Sequence, residues 1–191
     1  MATVAPPDTR ERILRATVEL IGVEGVPAVT NRRVASAAGV ALGSLTYHFA
    51  SQVDLLRESL LLFVGEEVAR QEEIAAELRR GEPSVEQVAA EVERVVEESS
   101  NRIQQLAEIE LHLQAARDPA LREASLRCFE AYEGVAAAAL EMLGVSEPGQ
   151  HARTIVALMY GMGLRRLATG EDASGVAEGL LTVMRGIAPL D

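Results

Sequence analysis

Residues 30–56 of the chain have the sequence TNRRVASAAGVALGSLTYHFASQVDLL, which predicts two short helices joined by a tight turn. Thr30 is placed to cap a short helix over residues 31–38, because a threonine hydroxyl accepts a hydrogen bond from the free amides of a first helical turn. Gly39 then permits the left-handed backbone that a tight turn requires. A second short helix follows over about residues 42–48. Two short helices joined by a glycine turn predict a helix-turn-helix.

Apolar residues in this stretch separate an inward face from an outward face. Val34 and Ala35 of the first short helix are predicted to pack into the core, and the small Ala38 lets the second helix approach closely. Leu45 and Phe49 are predicted to hold the second helix to the same core. The residues left at the turn or on the outer face, where a recognition helix meets the major groove of DNA, are Leu42, Gly43, Ser44, Thr46, Tyr47 and His48.

The rest of the chain also predicts helices. Aromatic residues make up only 3% of its 191 residues, and no strand pattern is found. The fold class is therefore all-α, with a tail and three-helix head over residues 1–50 and a larger helical body over residues 51–191. Gly22 and the run Gly25–Pro27 are expected to end the first helix. The predicted helices cover about residues 9–23, 31–38, 42–48, 52–80, 84–116 with a bend at 99–101, 119–143, 148–168 and 175–187.

Charge is unevenly distributed along the chain, whose net charge is −11. Residues 8–57 carry six arginines against five acidic residues, whereas the remainder carries twelve arginines against 24 acidic residues. A nearly neutral head on a strongly acidic body is typical of a DNA-binding protein whose body faces away from DNA. The acidic pairs at 66–67, 72–73 and 97–98 are interpreted as solvated helix faces.

Cysteine usage and hydropathy indicate the compartment. Cys128 is the only cysteine, so no intrachain disulfide can form, which fits a reducing cytoplasm. No apolar run reaches the roughly 20 residues that a membrane span needs, and the first residues lack the basic-then-apolar pattern of a signal peptide. A cytoplasmic protein with no membrane partner is expected.

The order T-x-R-x-[VI]-A-x-x-A-G-V-x-x-G-S-L-x-Y-H-F, present from Thr30 to Phe49, resembles the DNA-binding signature of the tetracycline-repressor (TetR) family. The preceding helix, RERILRATVELIGVEG, resembles the first helix of that family, and ELHLQAARDPALRE is similar to an actinobacterial subgroup. The resemblance implies a repressor that binds palindromic, double-stranded operator DNA as a homodimer. It also implies release by a small-molecule effector that the body binds.

The resemblance implies a role for nine residues of the head. Thr30 corresponds to a capping residue that often donates to phosphate, Arg32 to a position that contacts phosphate or a base edge, and Arg33 to a flanking basic position. The positions that face the bases are Leu42, Gly43 and Thr46. The positions that commonly bind the DNA backbone are Ser44, Tyr47 and His48. Two residues depart from the family's pattern: Thr46 stands where many members carry tyrosine, and Gln52 where a lysine often holds a phosphate.

The body is expected to pair two subunits and to bind the effector. By resemblance, its last two helices form the dimer interface through Ile155, Met159, Met162, Val176, Leu180, Leu181 and Met184; the alternative is that these residues form only the core of one chain. Candidate residues for the effector site are Val92, Val95, Leu106, Ile109, Glu110, Leu113, Phe129, Tyr132, Met159 and Tyr160. The few aromatic residues and several methionines favour a flexible, mostly apolar effector.

The sequence leaves two other classes of function open. An enzyme would need a catalytic set from unmarked positions, because the sequence contains no nucleophile elbow, no phosphate loop and no cysteine–histidine cluster with metal spacing. We therefore expect no catalytic residues, no metal and no cofactor. The second alternative is a helical scaffold or partner-binding protein that has lost DNA binding, which the departures at Thr46 and Gln52 would allow.

Overall fold

The computed structural model describes residues 8–80, 101–171 and 174–187, together with residues 90 and 94. All regular secondary structure in these residues is helical. The elements are α1 (Thr9–Glu24), a short 3-10 helix (Val26–Ala28), α2 (Asn31–Ala38), α3 (Leu42–His48), α4 (Gln52–Arg80), α5 (Arg102–Ala115), α6 (Pro119–Met142), α7 (Pro148–Thr169) and α8 (Ser174–Ile187). The all-α prediction is confirmed. The predicted tail and most of residues 84–100 lie outside the described residues.

Polar caps fix where the N-terminal helices begin. The Asp8 carboxylate accepts a hydrogen bond from the Glu11 amide at 2.7 Å, and the Thr30 hydroxyl accepts one from the Arg33 amide at 3.4 Å. These bonds satisfy amides that have no partner within their own helix. Gly39, with φ of 63° and ψ of 40°, supplies the left-handed turn between α2 and α3. The helix-turn-helix therefore forms from the residues that predict it.

Gly22 corrects the prediction for α1. The helix continues through this glycine to Glu24 and ends at Gly25, whose φ is 81°. Gly22 is buried, and a Cβ atom placed on it would lie only 2.3 Å from the carbonyl oxygen of Ile103. Gly22 therefore allows the start of α5 to pack against the backbone of α1, and it is close packing that requires a glycine here.

The chain divides into two compact units. The first unit comprises residues 1–65 with 103–125, and the second comprises residues 66–102 with 126–191. The largest fully buried side chains of the first unit include Ile13, Val34, Leu45, Leu55 and Leu111; those of the second include Leu140 and Met184. These two units are defined by how compactly the chain packs. The predicted boundary at residue 50 instead separates a DNA-binding part from an effector-binding part, and it stays a prediction.

None of the helices in the described part of the chain combines the length and the apolar character needed to cross a lipid bilayer.

Candidate nucleic-acid interface and ligand site

The helix-turn-helix separates buried from exposed side chains. Val34 and Leu45, at 0% and 1% exposed, anchor α2 and α3 from inside, and Phe49 follows the end of α3 at 4%. On the other side, Leu42 is 44% exposed and Tyr47 is 85% exposed. The core thus holds α3 in place while its outer face stays available to a large partner.

The nine residues predicted to contact DNA all lie on α2, on α3 or at the cap before α2. The exposed ones are Thr30, Arg32, Arg33, Leu42, Gly43, Thr46 and Tyr47, and the half-buried ones are Ser44 and His48. The His48 ring packs edge-on against Tyr47 with 5.3 Å between ring centroids. The Thr46 hydroxyl donates to the Gly43 carbonyl oxygen at 3.1 Å. Their contacts with DNA stay a prediction.

Most arginines among residues 8–57 form ion pairs or hydrogen bonds within the first unit. The engaged ones are Arg10 with Glu58, Arg12 with the carbonyl oxygens of Ala38 and Gly39, Arg15 with Glu11, Arg33 with Glu24, and Arg57 with Asp118. Arg32 is the exception: among the described residues, no hydrogen-bond or ion-pair partner holds its guanidinium. It is exposed beside Thr30 at the start of α2. A free guanidinium on this face is suited to phosphate or to a guanine edge.

Two polar side chains have internal roles that the sequence did not predict. Arg12 donates at 3.0 Å to the carbonyl oxygens of both Ala38 and Gly39, so it ties α1 to the turn. Gln52 donates from Nε2 to the carbonyl oxygen of Val29, ahead of α2. The glutamine at the start of α4 thus fixes the loop that leads into the helix-turn-helix.

Three aromatic rings come together in the second unit. Tyr160 of α7 lies 5.0 Å from Phe129 and 5.9 Å from Tyr132, both on α6, measured between ring centroids. These rings were predicted for the effector site, and neighbouring Met159 is half-buried. Of the other candidates, Leu106, Ile109, Glu110 and Leu113 belong to the first unit, and Val92 and Val95 lie outside the described residues.

A buried polar cluster joins this aromatic group to α4. The Glu67 carboxylate, only 7% exposed, accepts hydrogen bonds from the Tyr132 hydroxyl at 2.5 Å and from Gln71 Nε2 at 2.8 Å. Arg70 forms an ion pair with the same carboxylate at 2.7 Å. Gln71 is fully buried, and its Oε1 has no hydrogen-bond partner among the described atoms. An unpaired buried acceptor costs free energy, so this atom favours a ligand that donates a hydrogen bond.

Glu67 corrects the interpretation of residues 66–67 as a solvated face. Glu67 and Gln71 lie on the buried stripe of α4, which consists of Leu60, Val64, Glu67, Gln71, Ile74 and Leu78. Their spacing of three and four residues is that of one helix face. Two polar residues within an apolar stripe were the signal that could have identified the cluster.

An open cleft of about 390 Å³ is formed in the second unit by α4 and α6. It is lined by Val68, Glu72, Ala75, Arg79, Arg127, Glu130, Ala131 and Gly134. Arg79 donates to the Gly134 carbonyl oxygen at 3.3 Å across it. Because both charge signs line the cleft, it does not select ligands of one charge.

The residues predicted for the dimer interface occupy two environments. Ile155, Val176, Leu180 and Met184 are buried within the single chain, and Met159, Met162 and Leu181 are half-buried. Helices α7 and α8 pack so closely that a Cβ atom on Gly179 would lie 2.7 Å from Cε of Met162. The exposed side of α7 instead carries a row of Ala157, Gly161, Leu164 and Ala168, with the exposed arginines Arg153 and Arg165 next to it. The dimer itself stays a prediction.

Comparison with known proteins identifies the family from both parts of the chain. A family model described as "Bacterial regulatory proteins, tetR family" matches residues 13–59, and one described as "Tetracyclin repressor-like, C-terminal domain" matches residues 83–190. The chain belongs to the TetR family. Its helix-turn-helix is therefore that of a TetR-family transcriptional regulator, and the expectation from the signature between Thr30 and Phe49 is confirmed.

Solved structures agree with a TetR assignment. The multidrug binding protein EbrR complexed with imidazole is 30% identical, with a TM-score of 0.68 and coverage of 97% of this chain and 98% of that one. A candidate transcriptional regulator of Streptomyces coelicolor A3(2) is 33% identical, with a TM-score of 0.66 and coverage of 96% and 100%. A candidate TetR-family regulator of Mesorhizobium loti MAFF303099, at 15% identity, a TM-score of 0.77 and coverage of 94% of both chains, shares the fold. Among curated proteins, no match was found.

Proposed function

We propose that this TetR-family regulator is a repressor that binds palindromic operator DNA as a homodimer and is released by a small-molecule effector. The observation that carries the DNA-binding part is the outer face of α3, where Tyr47 is 85% exposed while Leu45 anchors the helix at 1%. Arg32, at the start of α2, offers a guanidinium that has no partner in the described structure. A rigid helix with an exposed polar face is what major-groove recognition requires.

The test is a salt-titrated binding measurement on DNA flanking the gene of this protein, with a scrambled duplex of equal length for comparison. The wild-type chain should bind the flanking DNA more tightly, and Tyr47→Ala should weaken that binding with helix content and dimerisation unchanged. Leu126→Ala removes a side chain that is 57% exposed on α6 and is the matched control. If neither the flanking DNA nor any genome-selected site binds more tightly than the scrambled duplex, the result would favour the alternative of a partner-binding protein.

The exposed row on α7 supports the homodimer. Ala157, Gly161, Leu164 and Ala168 are exposed and uncharged, and their spacing of three and four residues puts them on one helix face. Leu164 is 55% exposed in the single chain. Small residues around a leucine allow a second helix to approach closely, and a two-fold pair of heads matches a palindrome. The interface thus lies on the outward side of α7, next to the predicted interface residues that are buried.

The effector site is proposed at the Glu67–Gln71–Tyr132 cluster with its neighbouring rings. The unpaired Oε1 of Gln71 can accept a hydrogen bond, and the rings of Phe129 and Tyr160 favour a flat aromatic molecule. The proposed effector class is therefore a planar aromatic compound with an N–H donor, in place of the flexible, mostly apolar molecule that the composition favoured. Structures of EbrR complexed with imidazole, ethidium and proflavin support the choice of this class.

Effector release follows from a shift between two states of the repressor. Glu67 and Gln71 lie on α4, which begins at Gln52 directly behind the helix-turn-helix and is continuous to Arg80. A ligand that binds better to a state with differently spaced heads weakens operator binding by that difference in affinity, typically about 1–3 kcal/mol.

The effector proposal is tested by titrating proflavin into the protein and following its fluorescence. Gln71→Leu removes the unpaired acceptor and should weaken binding about tenfold, which corresponds to about 1.4 kcal/mol. Gln150→Leu makes the same change at an exposed position and should bind as the wild type does. Unchanged proflavin affinity in folded Gln71→Leu would place the site elsewhere. Release of bound operator by proflavin then tests the link to DNA.

A further inference from the structure

We infer that Glu24 holds the guanidinium of Arg33 in an ion pair, so that Arg33 does not bind a DNA phosphate. Glu24 thereby limits how tightly the helix-turn-helix binds DNA of any sequence. The inference rests on the proposed DNA binding and adds a residue that sets specificity. Glu24 is the last residue of α1, and Arg33 is the third residue of α2. Neither the distribution of charge nor the helix pattern of the sequence predicts that these two residues form an ion pair.

The geometry of the pair places it at the DNA-facing start of α2. Oε1 of Glu24 accepts a hydrogen bond from Nη2 of Arg33, and the two side chains are 41% and 45% exposed. The backbone amide of Arg33 donates to the capping hydroxyl of Thr30, a predicted phosphate contact. The hydrogen bond that Arg33 donates to Glu24 lowers the pKa of Glu24 and raises the pKa of Arg33, so both groups are charged at neutral pH.

Carboxylate and phosphate oxygens compete for the same guanidinium. Both can accept parallel N–H hydrogen bonds from arginine. A phosphate contact displaces condensed counterions from DNA, whereas an arginine held by its own carboxylate displaces none. Glu24 also places a negative charge beside the DNA backbone. Arg32 then remains the one guanidinium among residues 8–57 that has no partner in the described structure, and nonspecific attraction stays weak.

Replacing Glu24 with glutamine frees Arg33 for phosphate. Glu24→Gln should tighten binding to a scrambled duplex several-fold at low salt. It should also steepen the dependence of log K on log salt by about 0.9 per subunit, the value expected for one additional phosphate contact. The ratio of operator affinity to scrambled-duplex affinity should fall, because the added contact carries no sequence information.

The experiment compares five proteins by fluorescence anisotropy on labelled scrambled and gene-flanking duplexes over a salt series. They are the wild type, Glu24→Gln, Glu19→Gln, Arg33→Gln and the double variant Glu24→Gln/Arg33→Gln. Glu19→Gln makes the same charge change at an exposed position on α1 where no ion pair is described, so it reports net charge alone. We expect a large change in the slope of log K against log salt only for Glu24→Gln. In the Arg33→Gln background, adding Glu24→Gln should leave this slope unchanged.

Each outcome separates this inference from the repressor proposal. Equal slopes for Glu24→Gln and Glu19→Gln, or an effect of Glu24→Gln that persists without Arg33, would overturn the role of Glu24 while leaving operator binding intact. If Glu24→Gln binds DNA and the wild type does not, the result would support the inference that Glu24 keeps Arg33 from binding phosphate. Failure of both proteins to bind either duplex at low salt would overturn both proposals.

Discussion

Arg32 and Arg12 show how two arginines of one unit differ in function. Arg32 has no partner in the described structure, so Arg32→Ala should leave the free energy of unfolding unchanged. It should lower operator affinity by about 1–3 kcal/mol if Arg32 contacts a base, or weaken all sequences equally if it contacts phosphate. Arg12→Ala removes both hydrogen bonds to the turn and should destabilise the fold by about 1 kcal/mol.

Urea unfolding and DNA binding of the two variants provide the check for these arginines. Loss of stability in Arg32→Ala would mean that the residue has a structural partner. Full operator affinity in Arg32→Ala would remove it from the interface.

His112 predicts how stability depends on pH. Burial lowers its pKa from 6.5 to about 4, and its Nδ1 lies 2.8 Å from the Ser125 hydroxyl oxygen. Between these values the unfolded chain binds a proton that the folded chain does not. The free energy of unfolding should therefore fall as pH decreases from about 6.5 to about 4, by at most about 1.4 kcal/mol per pH unit. Below that range, both states are protonated and the loss stops.

Urea unfolding at several pH values measures this contribution. His112→Asn keeps a polar atom near Ser125 but removes the titration, so its stability should change less over the same range. His151→Asn is the control for loss of a histidine elsewhere. An identical pH dependence in His112→Asn and the wild type would contradict the assignment to His112.

Single residues explain which parts of the site could be predicted. Thr30, Gly39 and Tyr47 follow from local rules for caps, left-handed turns and helix faces, and the structure places them as expected. The pairing of Glu24 with Arg33 and of Glu67 with Tyr132 joins residues on different helices. Such contacts depend on how helices pack, which local sequence does not specify.

At the level of helices, Gly22 and Gly65 offer a matched test of packing against helix propensity. A Cβ atom at Gly22 of α1 would lie 2.3 Å from a backbone oxygen, whereas one at Gly65 of α4 would meet nothing within 4 Å. Gly65→Ala should stabilise the protein by about 0.5–1 kcal/mol, because alanine favours a helix over glycine. Gly22→Ala should destabilise it by about 1–3 kcal/mol, because α5 must move.

Denaturant midpoints of the two alanine variants decide between propensity and packing. Stabilisation by both would show that α1 and α5 separate at little cost. Destabilisation of the Gly65 variant would show an additional contact on that face of α4.

Helix boundaries were predictable wherever the chain carries a local stop. Proline and glycine bound α6 and α7, and α4 begins after the Ser51 cap. Gly25 ends α1 as expected, but Gly22 was also predicted to end it, because a glycine inside a helix and a glycine after one look alike in sequence. Only the position of Ile103 distinguishes them, and Ile103 lies far along the chain from Gly22.

For the whole molecule, the question is which face of α7 joins two subunits. The family resemblance, together with the apolar stripes of the last two helices, assigned Ile155 and Leu180 to the interface. An apolar stripe, however, has the same appearance whether it packs within a chain or between chains. Both side chains are buried in the single chain, at 5% and 3% exposed. The uncharged row around Leu164 therefore remains available for a partner copy.

Leu164→Arg tests this arrangement because it places a charge at the centre of the row. The side chain of Leu164 is 55% exposed in the single chain, so the substitution should spare the fold. Burying the new charge at an interface without a partner is costly, so sedimentation equilibrium should detect monomers. Operator affinity should fall by at least about tenfold, because one head cannot gain from the second half-site. Leu126→Arg, at a residue 57% exposed on α6, is the control. Dissociation by Leu126→Arg instead would move the interface to α6, and a dimer that survives Leu164→Arg would exclude this face of α7.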